Sequence, residues 1–208
     1  RLTARGITAL GEESKRGIRG LIDDDKFSQF DKDIGWVPRP AHRGTSYYVN
    51  SQGLRGKKEY PLPAPDVEKR ILCMGDSFTF GTAVKEQESY PAQAEKMLPG
   101  TEWINLGMPA TCLVQSYQRY LRDGSKLGGK HVVVGFMTSD AQRTVNCFRS
   151  LVNDDSGCPY TKPFAKFANG KFSIEPNPFS SLDDYRKLLA DEAPELRKLR
   201  QIDYLTWS

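Results

Sequence analysis

Histidine is nearly missing from this chain of 208 residues, which holds only His42 and His131. Chemistry that needs an imidazole must use one of these two or draw one from elsewhere. Long apolar runs are missing as well. The most apolar stretch, Val132 to Met137, is six residues long, far short of the ~18 that a membrane helix needs. The four cysteines, Cys73, Cys112, Cys147 and Cys158, form no Cys-x-x-Cys pair, so the usual signature of a structural zinc site is lacking. There is no large charge surplus either, since 30 basic side chains stand against 26 acidic ones for a formal +4. Most of that excess lies between Arg1 and Gly20, where Arg1, Arg5, Lys15, Arg16 and Arg19 face only Glu12 and Glu13. The rest of the chain carries no basic stripe interleaved with aromatic residues, which argues against a nucleic-acid partner. A basic leader over residues 1–20 suits contact with a protein or a membrane surface instead.

What is present suffices for a core. Hydrophobic residues make up 38%, aromatic residues 11% and charged residues 27%, the composition of a globular domain rather than a disordered chain. The chain begins with Arg1, which is compatible with removal of a signal or anchor. Cys73 sits in an apolar run and reads as a buried thiol. Cys147 and Cys158 flank a turn-forming stretch, Asn153-Asp-Asp-Ser-Gly157, so two readings stand. Either the turn brings the sulfurs together as a disulfide, which implies an oxidising periplasmic or extracellular setting, or both thiols are unpaired.

Residues 1–68 show little periodicity and many turn formers, including Pro38, Pro40, Gly44, Gly53, Gly56, Pro61, Pro63 and Pro65. They read as the leader followed by an extended lead-in with a hairpin near Thr45 to Val49. From residue 69 to 208 the pattern becomes regular. Arg70-Ile-Leu-Cys-Met74, Trp103-Ile-Asn-Leu106 and His131-Val-Val-Val-Gly-Phe136 read as buried strands. Helical stripes lie between and after them: Tyr90, Ala94, Met97 and Leu98; Leu113, Tyr117, Tyr120 and Leu121; and Leu182, Tyr185, Leu188 and Leu189. Ser181 with Asp184 forms a capping box for the last of these, and Pro194 breaks it and opens another carrying Leu196 and Leu199. These stripes are expected to be core. Apolar strands alternating with amphipathic helices imply an α/β fold, with a parallel sheet covered on both faces. Such sheets bind ligands beyond the carboxyl ends of their strands.

Each strand ends there in small or polar residues. After the first comes Gly75-Asp76-Ser77-Phe-Thr-Phe-Gly81, after the second Asn105-Leu-Gly107-Met-Pro109, and after the third Thr138-Ser139-Asp140. Ser77 would expose its hydroxyl while its own N–H helps to line an anion hole, Gly107 would offer a further N–H, and Ser139 a hydroxyl donor. Asp140 reads first as a cap for the following helix. Gly124-Ser-Lys-Leu-Gly-Gly129-Lys130 has the spacing of a phosphate loop, but a helix precedes it, a strand follows, and His131 stands where Ser or Thr is required.

These blocks resemble the SGNH, or GDSL, hydrolase family, and Asn50-Ser-Gln-Gly-Leu-Arg55 resembles a lead-in segment of its bacterial members. The likeness spans roughly residues 30 to 150. It implies a three-layer, flavodoxin-like sheet with helices on both faces, and a serine esterase or acylhydrolase working through an acyl-serine intermediate without any cofactor. Ser77 would be the nucleophile, Gly107 and the Ser77 N–H oxyanion donors, and Asp76, Asn105 and Asp140 supporting residues. The family's third block reads Gly-x-Asn-Asp, where this chain has Ser139-Asp140, a shorter donor. The implied substrate is a small acyl ester, with a short acyl group on a carbohydrate preferred.

The family's last block, Asp-x-x-His, has no counterpart, because no histidine follows His131. His131 opens the third strand, about 15 Å from the crevice at ~3.3 Å per residue, and His42 reads as a solvent-exposed loop residue. Two expectations follow. Either the chain is part of a longer enzyme whose Asp-x-x-His lies beyond Ser208, or an SGNH-shaped domain serves as a non-catalytic binding or structural subunit of a larger assembly.

Overall fold

In the computed structural model, which describes residues 7–24, 26–62 and 69–203, regular structure begins with α1 (Glu12–Ile22) and a two-stranded sheet of β1 (Ser28–Asp31) and β2 (Gly35–Pro38). Next come β3 (Arg70–Met74), the single-turn α2 (Ser77–Phe80), α3 (Tyr90–Met97), β4 (Glu102–Asn105), α4 (Leu113–Arg122) and β5 (His131–Val134). The chain continues through α5 (Thr138–Val145), the antiparallel pair β6 (Phe164–Ala168) and β7 (Lys171–Glu175), α6 (Leu182–Ala190) and α7 (Glu192–Ile202). Arg1 and Arg5 of the leader, Pro63 and Pro65, and the last five residues lie outside the described residues. Among those described, no helix is long and apolar enough to cross a membrane.

Two compact units result, Pro38–Met137 on the one hand and Arg1–Val37 with Thr138–Ser208 on the other. Their boundaries fall at residues 38 and 138, whereas the sequence reading divides the chain at residue 68. The lead-in from Pro38 folds with the parallel sheet because Leu54 and Tyr60 are buried in the same cluster as Leu72, Met74, Ile104, Leu106 and Leu127. Burying each of the larger aliphatic members is worth about 1.5–3 kcal/mol.

Within Pro38–Met137 the sheet has the order β4-β3-β5, all parallel, with Leu72 opposite both Ile104 and Val132. The protein is therefore α/β around a small parallel sheet. Side chains alternate across it. Leu72 and Met74 meet Tyr120 of α4 on one face, while Cys73 on the other face lies near Tyr90 of α3. Burial pushes the pKa of that thiol up to about 12, against a smaller opposing influence of Tyr90, which fits the buried role expected of it.

Cover is uneven. β3 is buried along its whole length, but Val132, Val133 and Val134 of β5 are 42%, 37% and 51% exposed. The expectation of a sheet covered on both faces fails at this strand, which pairs only with β3 among the described residues. Two helical stripes are open for a related reason. Tyr117 and Leu121 of α4 are exposed, and Tyr117 lines an apolar groove of about 430 Å³ with Met74, Tyr120, Val132 and Val134. Met97 and Leu98 at the end of α3 are exposed too. Periodicity located these helices, but the stripes extend past the surface that covers them.

A charge cluster fastens the start of the sheet. Arg70, only 1% exposed, donates to Glu102 Oε2 at 2.5 Å and to the Leu127 carbonyl, and its guanidinium lies over Tyr60. Lys58 meets the other Glu102 oxygen at 2.7 Å. Burial raises the Glu102 pKa, but the bonds and charges of Lys58 and Arg70 outweigh it and hold the carboxyl below its usual range. Glu102→Gln is expected to cost about 2 kcal/mol near pH 7, because it leaves a buried guanidinium poorly compensated. A depressed carboxyl contributes stability above its unfolded pKa of about 4.3 and loses it as pH falls through the lower folded value. The gap between wild type and variant, measured by urea unfolding from pH 7 to pH 3, should therefore close at the acid end.

In the other unit, α6 lies between α1 and α7 in the contact pattern, and Tyr185, Leu188, Leu196 and Leu199 are buried. The capping box forms as expected, with Asp184 accepting from the Ser181 N–H at 3.0 Å. The helix break falls at Asp191, three residues before Pro194. Cys147 and Cys158 are free thiols. Cys147 Sγ is directed at the Leu199 carbonyl, and burial pushes the Cys158 pKa up to about 11.

Candidate active site

The serine turn is built around two glycines. At the end of β3, Gly75 adopts φ +149°, and a Cβ there would lie 2.3 Å from Thr79 Oγ1 and 2.8 Å from the Gly135 carbonyl. Asp76 then caps α2, its side chain accepting from the Phe78 N–H at 3.0 Å. The turn closes through Phe80 N–H to the Asp76 carbonyl and Gly81 N–H to the Ser77 carbonyl, both 2.9 Å. Gly81 ends it in the left-handed region at φ +76°. Ser77 is thus the first residue of a one-turn helix at the carboxyl end of the central strand. It is half-buried, and neither its Oγ nor its N–H makes a hydrogen bond among the described residues.

The loop after β4 is joined to this turn. The Met108 N–H donates to the Gly75 carbonyl at 2.9 Å. Asn105, almost fully buried, donates through Nδ2 to the Thr79 carbonyl at 2.8 Å and accepts the Gly107 N–H on Oδ1 at 2.9 Å. Gly107 is so close to α2 that a Cβ on it would stand 2.3 Å from the Phe80 nitrogen. Ser77, Asp76, Asn105 and Gly107 therefore share one constellation. Its geometry qualifies one expected role: the Gly107 N–H is already committed to Asn105, so it reaches a bound oxyanion only by exchanging or sharing that bond.

Ser139 and Asp140 belong to α5 in the other unit. Ser139 is exposed. Asp140 is not the cap expected of it, since α5 already begins at Thr138; it is buried in the first turn and pairs with Arg143 at 3.0 Å. His131 opens β5 in register with Ile71, at the amino end of the sheet as the sequence implied. His42 is half-buried rather than solvent-exposed, stacked on Tyr47 with ring centroids 5.9 Å apart. Burial and nearby Arg39 lower its pKa. Among the described residues no group of three or more His, Cys, Asp or Glu is placed to hold a metal ion.

Sequence reasoning singled out Asn50 to Arg55 only by likeness. In the structure Asn50 folds this segment into a turn, accepting from the N–H groups of Gln52 and Leu54 and donating to the Lys58 carbonyl. The turn delivers Arg55, 5% exposed, to the back of the serine turn. A buried arginine in a glycine-rich lead-in has no sequence signature, because its partners are backbone carbonyls.

No family model matches the chain, and no curated protein sequence matches it.

Proposed function

We propose that the chain carries the nucleophile half of an SGNH-type serine esterase or acylhydrolase that cleaves a small acyl ester, with a short acyl group on a carbohydrate as the preferred substrate. One observation carries this reading: a half-buried serine whose hydroxyl makes no hydrogen bond among the described residues starts a one-turn helix at the carboxyl end of the central parallel strand, beside the Asn105–Gly107 loop. The order β4-β3-β5 supports it, because a flavodoxin-like sheet begins with its second, first and third strands in that arrangement. In the proposed cycle Ser77 Oγ attacks the ester carbonyl carbon and passes its proton to a general base. The tetrahedral intermediate collapses to acyl-Ser77 and an alcohol that takes the proton, and water then releases the acid by the same route. The Ser77 N–H and, after exchange from Asn105, the Gly107 N–H serve the oxyanion. The chemistry calls for no metal or organic cofactor.

Neither histidine suits the role of base, so the proposal places it on an Asp-x-x-His segment outside these 208 residues. The uncovered β5 is compatible with more chain beside it. The second reading, a non-catalytic binding or structural subunit, is favoured by the absence, among the described residues, of any base on Ser77 Oγ and by the commitment of the Gly107 N–H. Fluorophosphonate labelling of the encoded polypeptide separates the two: Ser77-dependent labelling is expected, and a folded protein that takes up none of the probe supports the subunit reading.

A further inference from the structure

We propose that Arg55 is a positioning residue that holds the nucleophile turn from behind and thereby sets the orientation of Ser77. The inference rests on the hydrolase reading for its catalytic consequence, but its structural content stands on contacts alone. A one-turn helix has almost no hydrogen bonds of its own, so its carbonyls need partners from elsewhere. Arg55 Nε donates to the Phe80 carbonyl at 2.9 Å, and Nη2 donates to the carbonyls of Gly81 and Val84 at 3.3 and 3.0 Å. A single guanidinium thus gathers three carbonyls from the end of α2 and the loop after it. Its positive charge also faces the negative end of the helix.

The clamp is itself held in place. The Arg55 N–H donates to the Asn105 carbonyl at 3.2 Å, so the residue that holds Phe80, Gly81 and Val84 is tied to the residue that holds Thr79 and Gly107. Among the described residues Nη1 makes no hydrogen bond; instead the guanidinium lies over the rings of Phe80 and Tyr47, 5.0 and 5.3 Å from their centroids. Those rings meet edge to face at 5.3 Å. Lysine keeps the charge but presents donors from one point, and cannot reproduce a planar fork spread over three carbonyls. Charge alone is therefore not what the site uses.

The test compares wild type with Arg55→Lys and Arg55→Ala by three readouts. Amide exchange should quicken at least about tenfold at Gly81 and Thr82, whose N–H groups bond the Ser77 carbonyl, while amides in β3 keep their wild-type protection. The rate of fluorophosphonate labelling at Ser77 should fall about 10- to 100-fold, as expected for a small misplacement of a reacting group, and ester turnover should lose kcat with KM unchanged. Millimolar methylguanidinium should restore part of the labelling to Arg55→Ala, whereas methylammonium should not. Wild-type labelling and wild-type exchange in both variants would overturn the inference, as would equal acceleration across β3, which marks general loosening. If wild type itself takes up no probe, the hydrolase reading fails, and exchange at Gly81 and Thr82 alone decides whether Arg55 holds the turn.

Discussion

Ser77→Ala is expected to abolish fluorophosphonate labelling and to lower ester turnover by about 10⁴-fold or more, while changing the stability of the fold by less than about 1 kcal/mol. The two halves of that expectation come from the same geometry. Ser77 Oγ makes no hydrogen bond among the described residues, so its removal leaves no buried partner unsatisfied. The contacts that hold the turn use the Ser77 backbone: its carbonyl accepts from Gly81 N–H at 2.9 Å and from Thr82 N–H at 3.1 Å. Alanine keeps both and is the best helix former. The neighbouring Asp76→Ala behaves differently, because it removes the cap on Phe78 and is expected to cost about 1 kcal/mol. Parallel urea unfolding and labelling of the two variants separates a chemical role from a structural one. Undiminished labelling of Ser77→Ala would place the reactive group elsewhere.

What the sequence reveals follows the range over which each feature is determined. Ser181 and Asp184 are three residues apart, so their capping box is a local pattern. The Arg70–Met74 strand is equally legible, because β3 is buried throughout and its composition is uniform. The cover over a strand is another matter. Val132 to Val134 are as apolar as β3, yet they lie open, since composition records what a side chain prefers and not what the rest of the chain supplies. The same gap explains Met97, Leu98, Tyr117 and Leu121. At the site, Ser77 and Gly107 were legible as small residues at strand ends. The bond from Gly107 to Asn105, two residues back, is the kind of side-chain turn that asparagine favours, and it was within reach of sequence reasoning. Arg55 was not, because its carbonyl partners lie 25 to 29 residues away and any residue type supplies a carbonyl.

Gly107→Ala should be among the most damaging single-methyl changes in the chain, costing about 3 kcal/mol or more. Overpacking a core usually costs about 1–3 kcal/mol, because neighbouring side chains change rotamer. Here the methyl would stand 2.3 Å from the Phe80 nitrogen and 2.8 Å from Phe80 Cα and the Thr79 carbonyl carbon, backbone atoms that have no rotamer to change. Gly100→Ala provides the comparison. Gly100 has φ +84° and nothing within 4 Å of an added Cβ, so it should lose only the roughly 1–2 kcal/mol of left-handed strain. At Gly107 relief must come from one of two movements. If the loop after β4 retreats, the bonds from Met108 to Gly75 and from Gly107 to Asn105 are broken; if α2 retreats, it carries Ser77 with it and pulls against Arg55. Either movement couples stability to reactivity, so Gly107→Ala should lower both the urea midpoint and the Ser77 labelling rate, whereas Ser77→Ala removes reactivity alone. A stability loss below that of Gly100→Ala would show that the serine turn and the Asn105–Gly107 loop do not approach each other as closely as the site requires.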